Sequence, residues 1–172
     1  DISNSQFRSK FEDDVKKLRG SMGIGVISDF EDQPLLIGSH LGLFAIVTVG
    51  VVKNAEELWQ QALKQGAHFS EMSGSEINPT ELVATLIGQG KSFVEGIKIA
   101  QDAIKGSCSI LLLTDDGLYA ARDKWGRTPV MVGEKDGALA ACFETCAFPN
   151  LGYETKRVLG PGEVVLLNRE GL

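Results

Sequence analysis

The apolar positions of this chain change period near its middle. Phe7, Phe11, Val15 and Leu18 recur at helical spacing and Gly20 follows as a stop, so the opening reads as an amphipathic helix. Residues 22–28 form a short strand candidate, and residues 29–34 are polar and turn-rich. The run 41–52 predicts one or two buried strands with Gly50 at a bend or hairpin. A helix then starts at Asn54, with Glu57 three residues on as in a capping box, and stops at Gly66. Residues 70–79 read as a loop. Pro79 is suited to the first turn of a helix over 80–87, because its missing N–H has no intrahelical partner there anyway. Phe93, Ile97, Ala100 and Ile104 mark a further helix.

Beyond Gly106 the period falls to that of strands. "CSILLLT", "LYAAR", "PVMVG" and "ALAACF" are each followed by turn chemistry, in order "DDG", "DKWG", "EKDG" and "ETCAFPN". This pattern predicts an antiparallel meander in which 117–133 forms a hairpin around Asp123–Gly126, and 163–167 adds a last strand. The expected class is a layered α+β domain, with strands in the second half covered by helices from the first.

Composition narrows the function. A chain of 172 residues with 43% hydrophobic content suits one domain, taken as 1–172, that needs no disulfide or metal to build its core. A net charge of −6 argues against a nucleic-acid partner, since phosphate binders concentrate Lys and Arg. The run 42–52 is too short to cross a bilayer, and no signal segment opens the chain, so no membrane partner and a cytoplasmic location are expected. Cys108, Cys142 and Cys146 lack C-x-x-C spacing and read as buried reduced thiols. His40 and His68 have no ligand spacing, so neither a metal nor another cofactor is expected. The chain starts at Asp1 rather than Met and ends just after a strand, which reads as a segment of a longer protein.

"GLYAARDKWGRTPVMVG", "FETCAF" and "RVLGPGEVVLLNREGL" together resemble the C-terminal part of the glutaminase domain of the glutamine phosphoribosylpyrophosphate amidotransferases, class II glutamine amidotransferases of purine biosynthesis. Gly117, Leu118, Tyr119, Arg122, Asp123, Gly126 and Pro129 fit the family's first segment. Glu144, Thr145, Cys146 and Ala147 fit the second, and Pro161, Gly162 and Glu163 the third. The middle matches more loosely through "GIG" at 23–25, "QP" at 33–34 and "VGVVKNAEEL" from Val49. The resemblance implies a four-layer αββα sandwich of the N-terminal nucleophile hydrolase type. It also implies a chemistry: a terminal cysteine attacks the glutamine amide with its own α-amino group as base, and an asparagine and a glycine N–H hold the oxyanion. An arginine and an aspartate grip the substrate, and ammonia passes to a synthase site.

Laid on that pattern, the chain departs at the site. Asp1 is no nucleophile. "GVISDF" puts Ser28 at the arginine position, "TVGV" keeps Gly50 but puts Val49 at the oxyanion asparagine, and "NPTE" puts Pro79 at the aspartate while Thr80 and Glu81 persist. Losing one oxyanion donor costs on the order of 100- to 1,000-fold in rate. The expectation is therefore a domain with no catalytic residues of its own, in which Ser28, Val49, Gly50 and Pro79 are degenerate site positions.

Other residues carry plainer readings. Arg122 and Asp123 read as an exposed pair across a turn, or as groups that stabilise the turn and its packing. Trp125 is a hairpin cover, an interface contact or a ligand platform. Gly50 serves a positive φ, and Cys146 belongs to the core. Three functions remain: a structural, regulatory or subunit-contact module; an active glutaminase whose cysteine lies in an upstream part, supplying ammonia for phosphoribosylamine synthesis; and a sensor of glutamine or another small metabolite through the polar loops 29–33 and 70–78. A homo-oligomer or a synthase partner domain is expected by analogy.

Overall fold

The computed structural model describes residues 12–14, 16–28, 31–70, 72–73 and 76–172. Five strands form the larger sheet: β1 (Leu35–Ser39), β2 (Gly42–Val52), β5 (Gly106–Thr114), β6 (Gly117–Ala121) and β10 (Val164–Leu167), in the order β1-β2-β5-β6-β10 with every pairing antiparallel. A second sheet, β8-β7-β9, contains β7 (Met131–Lys135), β8 (Ala138–Cys142) and β9 (Glu154–Val158). The short pair β3 (Met72–Ser73) and β4 (Glu76–Ile77) stands apart from both.

Strand alternation gives the larger sheet two apolar faces. Phe44, Ile46, Cys108, Ile110 and Leu112 point to one side. There they meet α1 (Ala55–Lys64), α2 (Pro79–Ile87) and α3 (Phe93–Ala103), through Leu58, Leu82, Val83, Leu86, Ile87, Phe93, Ile97 and Ala100. Val47, Leu111, Ala120 and Leu167 point to the other side and pack on Val130, Val132, Leu139 and Ala141 in and beside the second sheet. On the far face of that sheet, α4 (Ala147–Leu151) lays Phe148 over Gly133, where a Cβ would lie 2.8 Å from the ring. The layers run α, β, β, α, as expected, with α4 the helix of the fourth layer.

The local signals fared unequally. Asn78 caps α2 by accepting from the Thr80 N–H at 2.9 Å, with Pro79 in the first turn, and the Ser92 side chain accepts from the Glu95 N–H to cap α3. The capping box at Asn54 does not form. Its amide instead ties α3 to β5, donating to the Ala103 carbonyl at 3.0 Å and accepting from the Lys105 N–H at 2.7 Å, while Glu57 pairs with Lys105. Residues 42–52 are one eleven-residue strand rather than two, and Gly50 stays within the ladder opposite Cys108 at φ +153°.

Three further expectations are corrected. The segment 117–133 is not a hairpin: β6 and β7 lie in different sheets, because the turn at Asp123 carries the chain across the sandwich. The hairpins of the second half are β5–β6 and β7–β8, and "ETCAFPN" contains the helix α4 rather than a turn alone. Residues 22–28 form no strand, although Ile24 and Val26 pack on the core between the sheets. In the opening helix Phe7, Phe11 and Val15 lie outside the described residues; residues 12–14 and 16–17 are helical, and Leu18 is exposed.

Candidate functional site

Three elements converge at one end of the larger sheet: the loop into β1, the second half of β2, and the first turn of α2. Their contact is polar. Buried Thr80 stands at its centre, 2.7 Å from the Thr48 hydroxyl and donating to Glu31 Oε2 at 3.1 Å. Since Thr80 gives its proton to the carboxylate, Thr48 supplies the proton between the two hydroxyls. Gln33 closes the ring, with its amide N–H reaching Glu31 Oε2 at 3.3 Å.

Register explains why Gln33 is there. Leu35 pairs with Ile46, so two residues further out Gln33 stands opposite Thr48. Pro34 interrupts the backbone ladder, and the Gln33 side chain replaces it, accepting from the Thr48 N–H at 2.8 Å and donating to the Thr48 carbonyl at 3.4 Å. Asn78 adds a further tie by donating to the Asp32 carbonyl at 3.1 Å. A buried polar network of this kind is stabilising only when its members are paired, and here loop, strand and helix each supply partners.

The named positions fall around this ring. Ser28 accepts from the Glu31 N–H at 3.2 Å, and Pro79 separates Asn78 from Thr80. Val49 follows Thr48 but points to the opposite face of β2, half-exposed and opposite Ser109. Gly50 is exposed, and a Cβ there would be driven into the Ser107 carbonyl, so both its φ and its space call for glycine. Ser28 and Pro79 therefore meet through Glu31 and Thr80, whereas Val49 belongs to the other side of the sheet.

On that other side stands the turn from Asp123. The Asp123 side chain, 1% exposed, accepts from the Trp125 N–H and the Thr128 N–H, each at 2.9 Å, while its own N–H donates to the Ser109 hydroxyl at 3.0 Å. Arg122 spreads its guanidinium over three carbonyls: Thr128 at 3.2 Å, Gly126 at 2.6 Å and Leu159 at 2.6 Å. Arg122 and Asp123 are thus not an exposed ion pair. Each holds backbone groups of the same turn, and Trp125 is left 61% exposed at its tip, with the Lys124 ammonium 5.8 Å from its ring centre.

The thiols also differ from expectation. Cys108 alone is buried; Cys142 is half-buried and Cys146 is exposed, so Cys146 is not a core residue. Burial first, then the charges of Glu31 and Asp123, push the Cys108 thiol up to about 12, and burial raises that of Cys142. A nucleophilic thiol needs the opposite shift. Among the described residues no base is hydrogen-bonded to Cys108, Cys142, Cys146 or the Ser28 hydroxyl, and no group of His, Cys, Asp and Glu could hold a metal ion.

The ring itself was only partly legible. The polar loop 29–33 and the retained Thr80 stood out, but Glu31, Gln33 and Thr48 gave no periodic signal. The Asn-Pro pair at 78–79 was the one sequence mark of the cap.

Residues 15–148 match the glutamine amidotransferase domain family. The chain belongs to that family. This glutamine amidotransferase domain is 31% identical to the amidophosphoribosyltransferase of Bacillus subtilis over 170 residues, which is 92% of this chain and 35% of that protein. It is 36% identical to the enzyme of Staphylococcus aureus over 143 residues, 81% of this chain and 28% of the other. Among solved structures, B. subtilis glutamine phosphoribosylpyrophosphate amidotransferase with ADP and GMP superposes with a TM-score of 0.71 at 33% identity, covering 82% of this chain and 30% of that one. A structure of the allosteric regulatory enzyme of purine biosynthesis gives 0.72 at 32% identity, covering 84% and 30%. The domain is of the class II, phosphoribosylpyrophosphate amidotransferase type with the N-terminal nucleophile hydrolase-like fold. It spans about a third of the length of the relatives it matches. Among the described residues no helix is long and apolar enough to cross a membrane.

Proposed function

We propose that residues 1–172 form one glutamine amidotransferase-type domain that does not hydrolyse glutamine and serves as a structural, regulatory or subunit-contact module. The observation that carries this reading is the bond from Thr80 to Glu31. At the turn where the family pattern calls for an aspartate beside Thr80 to grip substrate, Pro79 has no side chain to grip with, and the chain's own carboxylate takes the Thr80 hydroxyl. Ser28 in place of the arginine holds the Glu31 N–H, so it too serves the loop rather than a substrate carboxylate. Val49 in place of the oxyanion asparagine has no donor to offer. The polar loop that suggested a metabolite sensor spends Glu31, Gln33 and the Asp32 carbonyl on internal bonds, which favours the structural reading over the sensing one. The partner proposed for the module is a synthase domain, in the same polypeptide or the same assembly, whose reaction the longer relatives carry in their names.

The test is glutamate release from glutamine by the full natural polypeptide carrying this domain, with calorimetric titration of glutamine beside it. Neither release above the blank nor saturable binding is expected. Release would establish an active glutaminase and overturn the proposal, and binding without release would establish a sensor in its place.

A further inference from the structure

The connection from β8 to α4 carries two thiols that solvent reaches. Cys142 is half-buried at the end of the strand, and Cys146 is exposed immediately before the helix. One carbonyl draws them together. The Cys142 thiol donates to the Glu144 oxygen at 3.3 Å, and the Ala147 N–H donates to the same oxygen at 3.2 Å. Two donors on one acceptor are close neighbours, and the Ala147 nitrogen is bonded directly to Cys146. The fold-back of 142–147 therefore sets the two cysteines side by side. Cys142 registers that neighbour: burial raises its thiol first, and the charge of Cys146 raises it too. Cys108 shares neither the exposure nor the partner.

We infer that Cys142 and Cys146 form an oxidisable pair, which closes reversibly into an intramolecular disulfide by exchange with a low-molecular-weight disulfide. Cys146 loses its proton to solvent, and its thiolate attacks one sulfur of the small disulfide. That S–S bond breaks, one small thiolate leaves, and a mixed disulfide remains on Cys146. Cys142 then loses its proton to solvent and attacks Cys146 Sγ, forming the protein S–S bond and expelling the second small thiolate. Two protein thiols are oxidised and one small disulfide is reduced to two thiols. Excess small thiol runs both steps backwards.

Exposure sets the order of attack. Cys146 is open to a bimolecular encounter, whereas Cys142 has only to reach a sulfur already beside it. The new bond staples β8, an edge strand of the second sheet, to the start of α4, the helix that lays Phe148 over Gly133. This inference does not depend on whether the domain hydrolyses glutamine.

Oxidised glutathione is the probe, added near neutral pH to the full natural polypeptide that carries this domain. After an acid quench, the remaining thiols are alkylated under denaturing conditions and the protein is digested with trypsin. One peptide, 136–156, then holds both cysteines and excludes Cys108. It is expected to carry no label and to be lighter than the reduced peptide by two hydrogens, and dithiothreitol should restore both labelling sites. In Cys142→Ser the reaction should stop at a glutathione adduct on Cys146. In Cys146→Ser the remaining thiol should stay unmodified over the same time. At a fixed ratio of reduced to oxidised glutathione, the folded protein should favour the disulfide over the dithiol by about tenfold or more relative to the isolated peptide 136–156, because the fold holds the pair together. A wild-type peptide labelled at both cysteines overturns the inference, as does one that stops at the adduct with Cys142 labelled. So does a disulfide no more favoured in the protein than in the isolated peptide. The wild-type readings decide by themselves if a serine variant fails to fold.

Discussion

The Thr80 hydroxyl donates to Glu31 Oε2 across 49 residues of sequence, and through that bond the loop before β1 is fixed to the first turn of α2. Thr80 is buried and also meets Thr48 at 2.7 Å, so one hydroxyl links loop, strand and helix. The polar end of the domain is organised around this residue.

Replacing Thr80 with valine keeps the volume and removes the link. Thr48 loses its acceptor and Glu31 its buried donor, so a loss of about 1–3 kcal/mol is expected. Urea unfolding followed by circular dichroism measures it. A loss equal to that of Thr85→Val, whose hydroxyl donates only to the Glu81 carbonyl of its own helix, would deny the ring any special weight.

Asp123 and Arg122 hold the crossing between the two sheets. Asp123→Ala frees two backbone N–H groups beside a buried site and should cost about 2–3 kcal/mol. Arg122→Lys keeps the charge but cannot reach three carbonyls with a planar fork, so it should also destabilise, by about 1 kcal/mol or more. The same turn sets Trp125, and both variants should increase quenching of its emission by acrylamide when Trp59 is replaced by Phe.

Two glycines separate backbone strain from packing. Gly50→Ala forces a side chain into φ +153° and against the Ser107 carbonyl, where the neighbour is backbone and cannot turn aside. Gly133→Ala meets the Phe148 ring, which can shift with the short helix α4. Both should lower the thermal midpoint, Gly50→Ala by more, with Gly133→Ala in the range of about 1–3 kcal/mol typical of overpacking. The reverse order would show that β2 and β5 separate more easily than α4 moves.

Cys108 gives the alkaline limb of stability. Its thiol sits at about 12 when folded, raised by burial and by the charges of Glu31 and Asp123, and near 8.5 when unfolded. The native state therefore binds this proton more tightly. Its contribution is complete below the unfolded value and is lost as pH rises through the folded one, at up to about 1.4 kcal/mol per pH unit. Urea midpoints measured from about pH 9 to 11 should fall more steeply for the natural chain than for Cys108→Ala. Thiol reagents at neutral pH should label exposed Cys146 and spare Cys108 until the chain unfolds. Prompt labelling of Cys108 would contradict its burial.

Short-range chemistry decided much of this protein from its sequence. Pro79 with Asn78 started α2, the four-residue spacing from Phe93 marked α3, and alternation with Gly-containing turns marked β5–β6 and β7–β8, because each rests on contacts within a few residues. What the chain itself could not state was which strands share a sheet. β6 and β7 look like a hairpin because the turn between them is well formed; only the buried Asp123 and the reach of Arg122 to Leu159 show that this turn crosses between layers. Asn54 looks like a cap, but its amide binds at Ala103 and Lys105, about fifty residues away. The polar ring has the same origin. Thr80 and the polar loop that holds Glu31 and Gln33 stood out singly in sequence, but nothing there joined them to one another or to Thr48; they become a unit because the β1–β2 register and the packing of α2 bring hydrogen-bonding groups together where burial penalises any left unpaired.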